Sequence, residues 1–568
     1  MRFPGPVGSA LAALLGAAAL GACALMFEPD RAARAPRLDG FGRQAMTVTT
    51  RQPAAQDLFT RGLLQSYAFN DQEAVRAFKA ALAVDPSCAM CAWGVAHALG
   101  PNINALERGD LSEARRYIGL AQRHAPAATP RERALIDALA ARYGADGSRA
   151  AKDEALSAAI CSSGSGKAKA DPLDTLYAAR MRAIGRDHPD DPDITTLDAE
   201  AQMIATRADW WDRKTGTPAP GIAEMTERLE RALVRTPDHT GLNHYLIHAL
   251  DGSPLPQRAV VAADRLGALA PESPHLLHMP SHVYVRVGRY GDAVRANNDG
   301  LAAEVRQTKR LEAQGFAPSG NWDFHNVHFL WFAALMDGRG DGALEQARRL
   351  ARQTADGQSA SAEFMRGLPL LTLVRLERWR EVFDEPAPTG DHGVGRALHH
   401  FARGVASARL DRRGDAQREA AALHAALDSP ALQGKTLMGD DAARDVLGIL
   451  AAELDAEVAL AGSGIDAART GLERAIEQEA GLEASEPPLL AAGTRLALGD
   501  LMLRSGRPVD AEAAFRADLV GQPGSGWALR GLARALTAQS RTAEAQRARD
   551  ELARTWAEAD KGLVAARL

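Results

Sequence analysis

Cysteine is scarce, with four in 568 residues, far below the density of disulfide-built scaffolds, so an apolar core must hold the fold. Aromatic residues are equally sparse at 5%, and no run of alternating apolar and polar residues marks a strand after the N-terminal segment, which argues against a β architecture. An excess of one charge is missing too. Lys and Arg number 67 against 72 Asp and Glu, a net charge of −5 with a pI near 6.3. No nucleic-acid partner is expected of such a balance, since that asks for a domain pI above about 9. Nor is there a nucleophile elbow, an HExxH or a phosphate loop: Gly164-Ser165-Gly166-Lys167 is followed by Ala168 and has no preceding strand.

What the chain does have is alanine, which favours helix, and a repeat. His244 and His248 stand four apart, His278 and His282 stand four apart, and the second pair follows the first by 34 residues, as Ala293 follows Ala259. Thirty-four residues is the length of a tetratricopeptide unit, two antiparallel helices that demand small residues where they cross. Gly62, Ala74, Phe78, Ala81 and Pro86 occupy the places of that unit near the N-terminus, and Gly499, Ala511, Phe515 and Pro523 occupy them near the C-terminus. Gly404 with Ala416 adds another hairpin. An all-α tetratricopeptide-type solenoid of stacked helical hairpins is therefore expected over 51–568, divided into an N-terminal array at 51–235, a His-rich array at 236–350 and a C-terminal array at 351–568. Thr129-Pro130-Arg131-Glu132 reads as a capping box with proline in the first helical turn.

The first residues read as an address. Arg2 precedes a short apolar run from Val7 to Leu20, too short to span a bilayer as a stable helix. Leu20-Gly21-Ala22-Cys23 resembles a bacterial lipobox, with 1–22 as signal peptide and Cys23 as the lipidated residue; plain secretion is the other reading. Ala24, not Asp, follows, and the resemblance then implies retention at the outer membrane. Residues 23–50 read as a lipidated N-terminus and flexible tether, the only expected contact with the membrane. Cys88 and Cys91 form a CxxC behind Asp85-Pro86-Ser87, with Ser87 placed to cap a helix. A reactive dithiol is one reading; a local disulfide, or two small buried residues, is the plainer one. Ala92 in place of His excludes c-type haem attachment.

The strings DPSCAMCAWGVAHALGPNIN, HYLIHALDGS, HLLHMPSHVYVRVGRY and HNVHFLWFAALMDGR resemble a family of exported bacterial tetratricopeptide lipoproteins across nearly all of the chain. The resemblance implies fold and export, and no reaction. Where that family usually carries Glu two residues after IHA, this chain has Asp251 followed by Gly252.

In the repeat register His244 and His278 fall at the fifth place of the first helix and His248 and His282 at the ninth, with His275 at the second and Asp251 at the twelfth. These places share one helical face, which in a tetratricopeptide hairpin lines the concave groove. The next hairpin, aligned on Ala343, adds His325 and His328. Three readings of this cluster are open. It is a groove for a protein or peptide, a carboxylate or phosphate gripped by imidazoles with Arg286 and Arg289, or a Zn or Cu site on His244, His248, His278 and His282, completed by Asp251 or His328. A lone buried histidine satisfying backbone groups is the bland alternative. On base rates for repeat arrays, the leading expectation is an extracytoplasmic, non-enzymatic scaffold for a protein or peptide partner, and the second a metal-binding protein or metal-dependent enzyme. Trp210-Trp211-Asp212 and Asn321-Trp322-Asp323 lie near loops, either edging the groove or closing hairpin ends.

Overall fold

The computed structural model describes residues 30, 32–43, 45–106, 109–145, 171–207, 210–212, 214–318, 322–438, 441–460, 464–482, 485–490 and 493–565. Cys23, Cys161, Asn321 and the Gly164–Lys167 loop lie outside them. The chain groups into two compact units, residues 1–37 with 44–209 and residues 38–43 with 210–568.

The first unit is built from α1 (Pro53–Tyr67), α2 (Asp71–Val84), α3 (Ala89–Ala98), α4 (Ser112–His124), α5 (Pro130–Arg142), α6 (Pro172–Asp187) and α7 (Pro192–Ala205), successive helices packing as hairpins. Their starts follow from sequence. Thr129 and Glu132 form the reciprocal capping box at α5, and Asp171 and Asp191 cap α6 and α7 in front of a proline that has no N–H to lose. Cys88, rather than Ser87, caps α3: its Sγ accepts from Cys91 N at 3.1 Å, while Ser87 turns to Asp85. Cys88 and Cys91 are joined in a disulfide.

The small residues explain how closely the hairpins approach. The Phe78 ring lies between Gly62 of α1 and Gly94 of α3, where an added Cβ would stand 2.7 and 2.5 Å from ring carbons. Phe515 lies in the same way between Gly499 and Gly531, at 2.5 and 2.4 Å. Gly94→Ala should therefore cost about 1–3 kcal/mol through overpacking. Gly119→Ala, with nothing within 4 Å of the new methyl on α4, should gain about 0.5–1 kcal/mol. Urea unfolding of both variants checks the pair, and equal effects would refute this packing account.

The second unit continues with α8 (Ile222–Arg235), α9 (Thr240–Asp251), α10 (Val260–Leu269), α11 (Pro274–His278), α12 (Pro280–Arg286), α13 (Tyr290–Ala313), α14 (Asp323–Met336), α15 (Gly340–Gln353) and α16 (Ala360–Arg375). It then runs through α17 (Val394–Arg409), α18 (Arg413–Leu427), α19 (Ala443–Ala459), α20 (Ile465–Glu479), α21 (Thr494–Arg504), α22 (Pro508–Gly521), α23 (Gly526–Ala538), α24 (Thr542–Thr555) and α25 (Lys561–Ala565). A two-residue ribbon, Thr436–Leu437 against Asp441–Ala442, is the one sheet among the described residues. The architecture is a tetratricopeptide-type α-solenoid. No described helix is long and apolar enough to cross a membrane.

Two expectations need correction. The tether read over 23–50 is docked in its later half. Met46 and Val48 are buried, and Thr49 donates through both N and Oγ1 to Glu132 at 2.6 Å, while in the second unit the Gly40 carbonyl accepts from Glu272 N at 3.1 Å. Leu38 and Phe41 are buried within the second unit, as Met46 and Val48 are within the first. Nor do the central hairpins of the second unit present an open face, because later hairpins return onto them. Trp527 Nε1 donates to Leu335 O at 3.0 Å and Trp556 Nε1 to Met336 O at 2.9 Å. Both acceptors are last-turn carbonyls of α14, which have no donor within their own helix.

Candidate metal centre

Helix α9 is buried at every residue from Thr240 to Asp251, so its polar residues must find partners inside the protein. His244 and His248 lie one turn apart on it. His275, His278 and His282 come from α11 and α12, which are separated at Met279-Pro280 because Pro280 has no N–H to continue the ladder. The break preserves the one-turn spacing of His278 and His282. Gly300 of α13 lets that helix press onto α11: a Cβ there would stand 2.9 Å from Pro274 O and 3.5 Å from His278 Cβ.

The imidazoles converge as two threes. His244 Nε2 is 3.0 Å from His248 Nε2 and 3.1 Å from His275 Nε2. His278 Nε2 is 2.9 Å from His282 Nε2, and His325 of α14 joins them with its ring centre 4.8 Å from that of His278. Within each three, the potential ligand nitrogens lie within 4.8 Å of one another. The threes are neighbours, with 6.4 Å between the ring centres of His275 and His278. His244 and His278 are 0% exposed, His275 2%, His282 4% and His248 7%. The expected histidine-lined groove is thus a cluster buried at every ring but the half-buried His325, closed by Trp322 stacked on His275 at 4.2 Å, Phe329 tilted against His282 at 4.2 Å and Trp210 edge-on to His248 at 6.3 Å.

Tautomers follow from the surrounding hydrogen bonds. Asn297 Nδ2 donates to Ala293 O at 2.8 Å, which leaves Oδ1 facing His278 Nδ1 at 2.6 Å. His278 Nδ1 therefore carries the proton and its Nε2 is a lone pair. His282 Nδ1 donates to Asp251 Oδ2 at 2.8 Å and faces Glu486 Oε2 at 3.0 Å. Neutral His282 would then turn a second lone pair onto His278 Nε2, a repulsive contact that either a proton on His282 Nε2 or a metal ion between the rings relieves. A ring whose far nitrogen is fixed by a carboxylate or amide oxygen is the usual outer support of a metal-ligating histidine.

Electrostatics separate the rings. Burial, then the neighbouring imidazoles, push His248, His275 and His278 well below the ordinary histidine value, and His325 is pushed down to about 3. Burial also works against charge on His282, but Asp251 and Glu486 more than offset it and hold the ring at about 10. Asp251, which burial alone would raise, is pulled down by His282, whereas Glu486 is pushed up by desolvation and by the Asp251 charge.

Other sequence candidates fall outside the threes. His328 is buried against Trp331, ring centres 5.6 Å apart, and not among the converging nitrogens. Asp251 supports His282 from behind. Arg289 pairs with Asp264 and Asp292, away from the imidazoles, whereas Arg286 donates to Ser253 O at 2.7 Å and lies close enough to help hold the Asp251 carboxyl down. Sequence reading named neither Asn297 nor Glu486. Asn297 was within reach of the repeat logic, one turn beyond Ala293; Glu486 carries no local signal.

No protein-family model and no curated protein matches the chain. Among solved structures it is similar to yeast Tom70, at 11% identity over 89% of this chain and 93% of that one, with a TM-score of 0.23. It is also similar to the APC/C hetero-tetramer Cut9-Hcn1 (12% identity, 91% and 96% covered, TM-score 0.26) and to the P58(IPK) TPR domain (12%, 59% and 89%, TM-score 0.18). Scores of this size carry no argument about ligand or partner, and the fold assignment stands on the hairpins of this chain.

Proposed function

We propose that this chain is a metalloprotein whose central hairpins hold two neighbouring ions, copper or zinc, each on three imidazoles: His244, His248 and His275 for one, His278, His282 and His325 for the other. The observation that carries this reading is the pair of three-nitrogen faces, the first buried and the second buried except at His325, with Nε2 atoms 2.9–3.1 Å apart wherever a direct contact is made. Bonds of about 2.0–2.1 Å to one ion place neighbouring ligand nitrogens about 3–3.5 Å apart. Neutral imidazole suits Zn and Cu. Three ligands leave a coordination position open, the arrangement of exchanging or catalytic sites rather than closed structural ones.

A peptide held in an open histidine-lined groove loses its site on this reading, because those rings are buried. The stacked hairpins remain consistent with protein binding elsewhere on their surface. Export with a lipid on Cys23 stays part of the proposal, and the Cys88–Cys91 disulfide supports an oxidising compartment. Processing before Cys23 and release from membranes in Cys23→Ser would test that part.

The metal reading is tested on protein purified without a histidine tag, stripped with chelator, reloaded with Cu or Zn and freed of excess ion. Elemental analysis should return about two equivalents per chain. Retention of well under one equivalent of either metal would end the proposal.

A further inference from the structure

Away from the histidines, the second unit holds a half-open cavity of about 160 Å³ among α14, α16, α17, α19, α21, α22 and α23. An engineered apolar cavity of about 150 Å³ is large enough to take benzene. Three of its walls are indoles, Trp331, Trp379 and Trp527. The remaining character comes from arginine, and the arginines are not equivalent. Arg409 is paired with Glu457 and Asp500, Arg530 with Glu377, and the fourth, Arg534, is exposed and helps hold the Asp500 carboxyl down. Among the described residues Arg375 has no carboxylate within ion-pair reach and its buried Nε has no hydrogen-bond partner; the guanidinium lies over the Trp527 ring at 4.2 Å.

We propose that this cavity is a binding site for a small organic carboxylate with a flat apolar body, its carboxylate on the Arg375 guanidinium and its body between the tryptophans. The site stands independently of the metal reading. A guanidinium presents a planar fork that matches a carboxylate with two parallel hydrogen bonds, and an unpaired buried cation is costly until an anion joins it. Burial, and then Arg530, pull Arg375 down only to about 9, so it remains a cation at neutral pH. Free phosphate would satisfy the charge but leave the indole walls uncovered. Glu453 lines the same cavity and is pushed up to about 8 by burial, so at neutral pH it is largely a hydrogen-bond donor. The same chemistry has two sources, a simple aromatic acid or an aromatic α-amino acid, whose ammonium group would call on Glu453 as an anion.

The test titrates the full chain with phenylacetate and with L-phenylalanine, following tryptophan fluorescence and calorimetric heat, with benzyl alcohol and acetate as the body and the carboxylate alone. At least one acid should bind, and both controls at least about tenfold more weakly; Arg375→Gln should weaken the acid about tenfold or more, the worth of a hydrogen bond to a charged group. Arg375→Lys, which keeps charge but not the fork, should recover part of the loss. Glu453→Gln assigns the source: it weakens L-phenylalanine if the amino acid is bound, and leaves phenylacetate alone if the simple acid is. The proposal is overturned if neither acid binds, if benzyl alcohol binds as tightly as the acids, or if a natively folded Arg375→Gln protein binds as wild type does.

Discussion

Replacing His248 with alanine should cost the protein one bound ion, and replacing His278 should cost it the other. Each change removes one of three donors, and two imidazoles hold Cu or Zn far more weakly than three, so metal content after removal of excess should fall from about two equivalents to about one. Combining the two should empty the centre. Because an ion that binds only the folded chain stabilises it by about 4 kcal/mol at a thousand times its dissociation constant, the thermal shift on loading should shrink in step. Asp251→Asn acts from behind the ligand: it withdraws the carboxylate that orients His282 Nδ1, and should weaken the second ion about 10–100-fold while sparing the first. Unchanged metal content in both single histidine variants would reduce the cluster to a packing device.

The second of the proposed sites shows where sequence reading stopped. The 34-residue recurrence placed four histidines on one face and named His275 and His325 beside them, because helical periodicity is local and survives translation from one hairpin to the next. The structure groups the nitrogens differently. A repeat predicts that equivalent residues lie side by side, whereas the nitrogens that meet are a one-turn pair plus one histidine from the first turn of the following hairpin, His275 with His244 and His248, His325 with His278 and His282. That choice depends on how far each helix is rotated, which the broken helix at Pro280 and the close approach at Gly300 decide. Burial was also out of reach: the hairpins that return onto α14 come from residues 527 to 560, and the carboxylate of Glu486 meets His282 across some two hundred residues of chain. Nothing in a local window carries such contacts. Gly62, Phe78, Gly499 and Phe515, by contrast, were legible because small-against-large packing at a helix crossing is written into a single repeat.

The metal-free protein should unfold steeply in mild acid. His248, His275, His278, His325 and His328 all have pKa values lowered by burial, to about 3 for the last two. A histidine depressed in the folded state gives its full contribution above its unfolded value, about 6.5, and loses it as the pH falls toward its folded value. Between those limits each such ring binds a proton in the unfolded chain that it cannot bind in the folded one, worth up to about 1.4 kcal/mol per pH unit; five together give a slope on the order of 5 kcal/mol per pH unit near pH 5. His282 runs the other way, since its raised value makes a contribution that is whole below about 6.5 and fades only as the pH climbs through about 10. Against a total stability of about 5–15 kcal/mol, the acid slope should carry the protein through unfolding within about two pH units below 6. Bound metal should move that transition to lower pH, because protons must first displace it. His328 supplies the control. It stands outside both threes, its buried Nε2 has no hydrogen-bond partner among the described residues, and its ring lies on Trp331, so His328→Phe removes one acid-sensitive group and leaves the proposed ligands in place. Circular dichroism and tryptophan fluorescence followed from pH 7 to 4 should show His328→Phe unfolding at lower pH than wild type with a shallower slope; a metal-free wild type still folded at pH 4 would mean that these rings are not held neutral by burial.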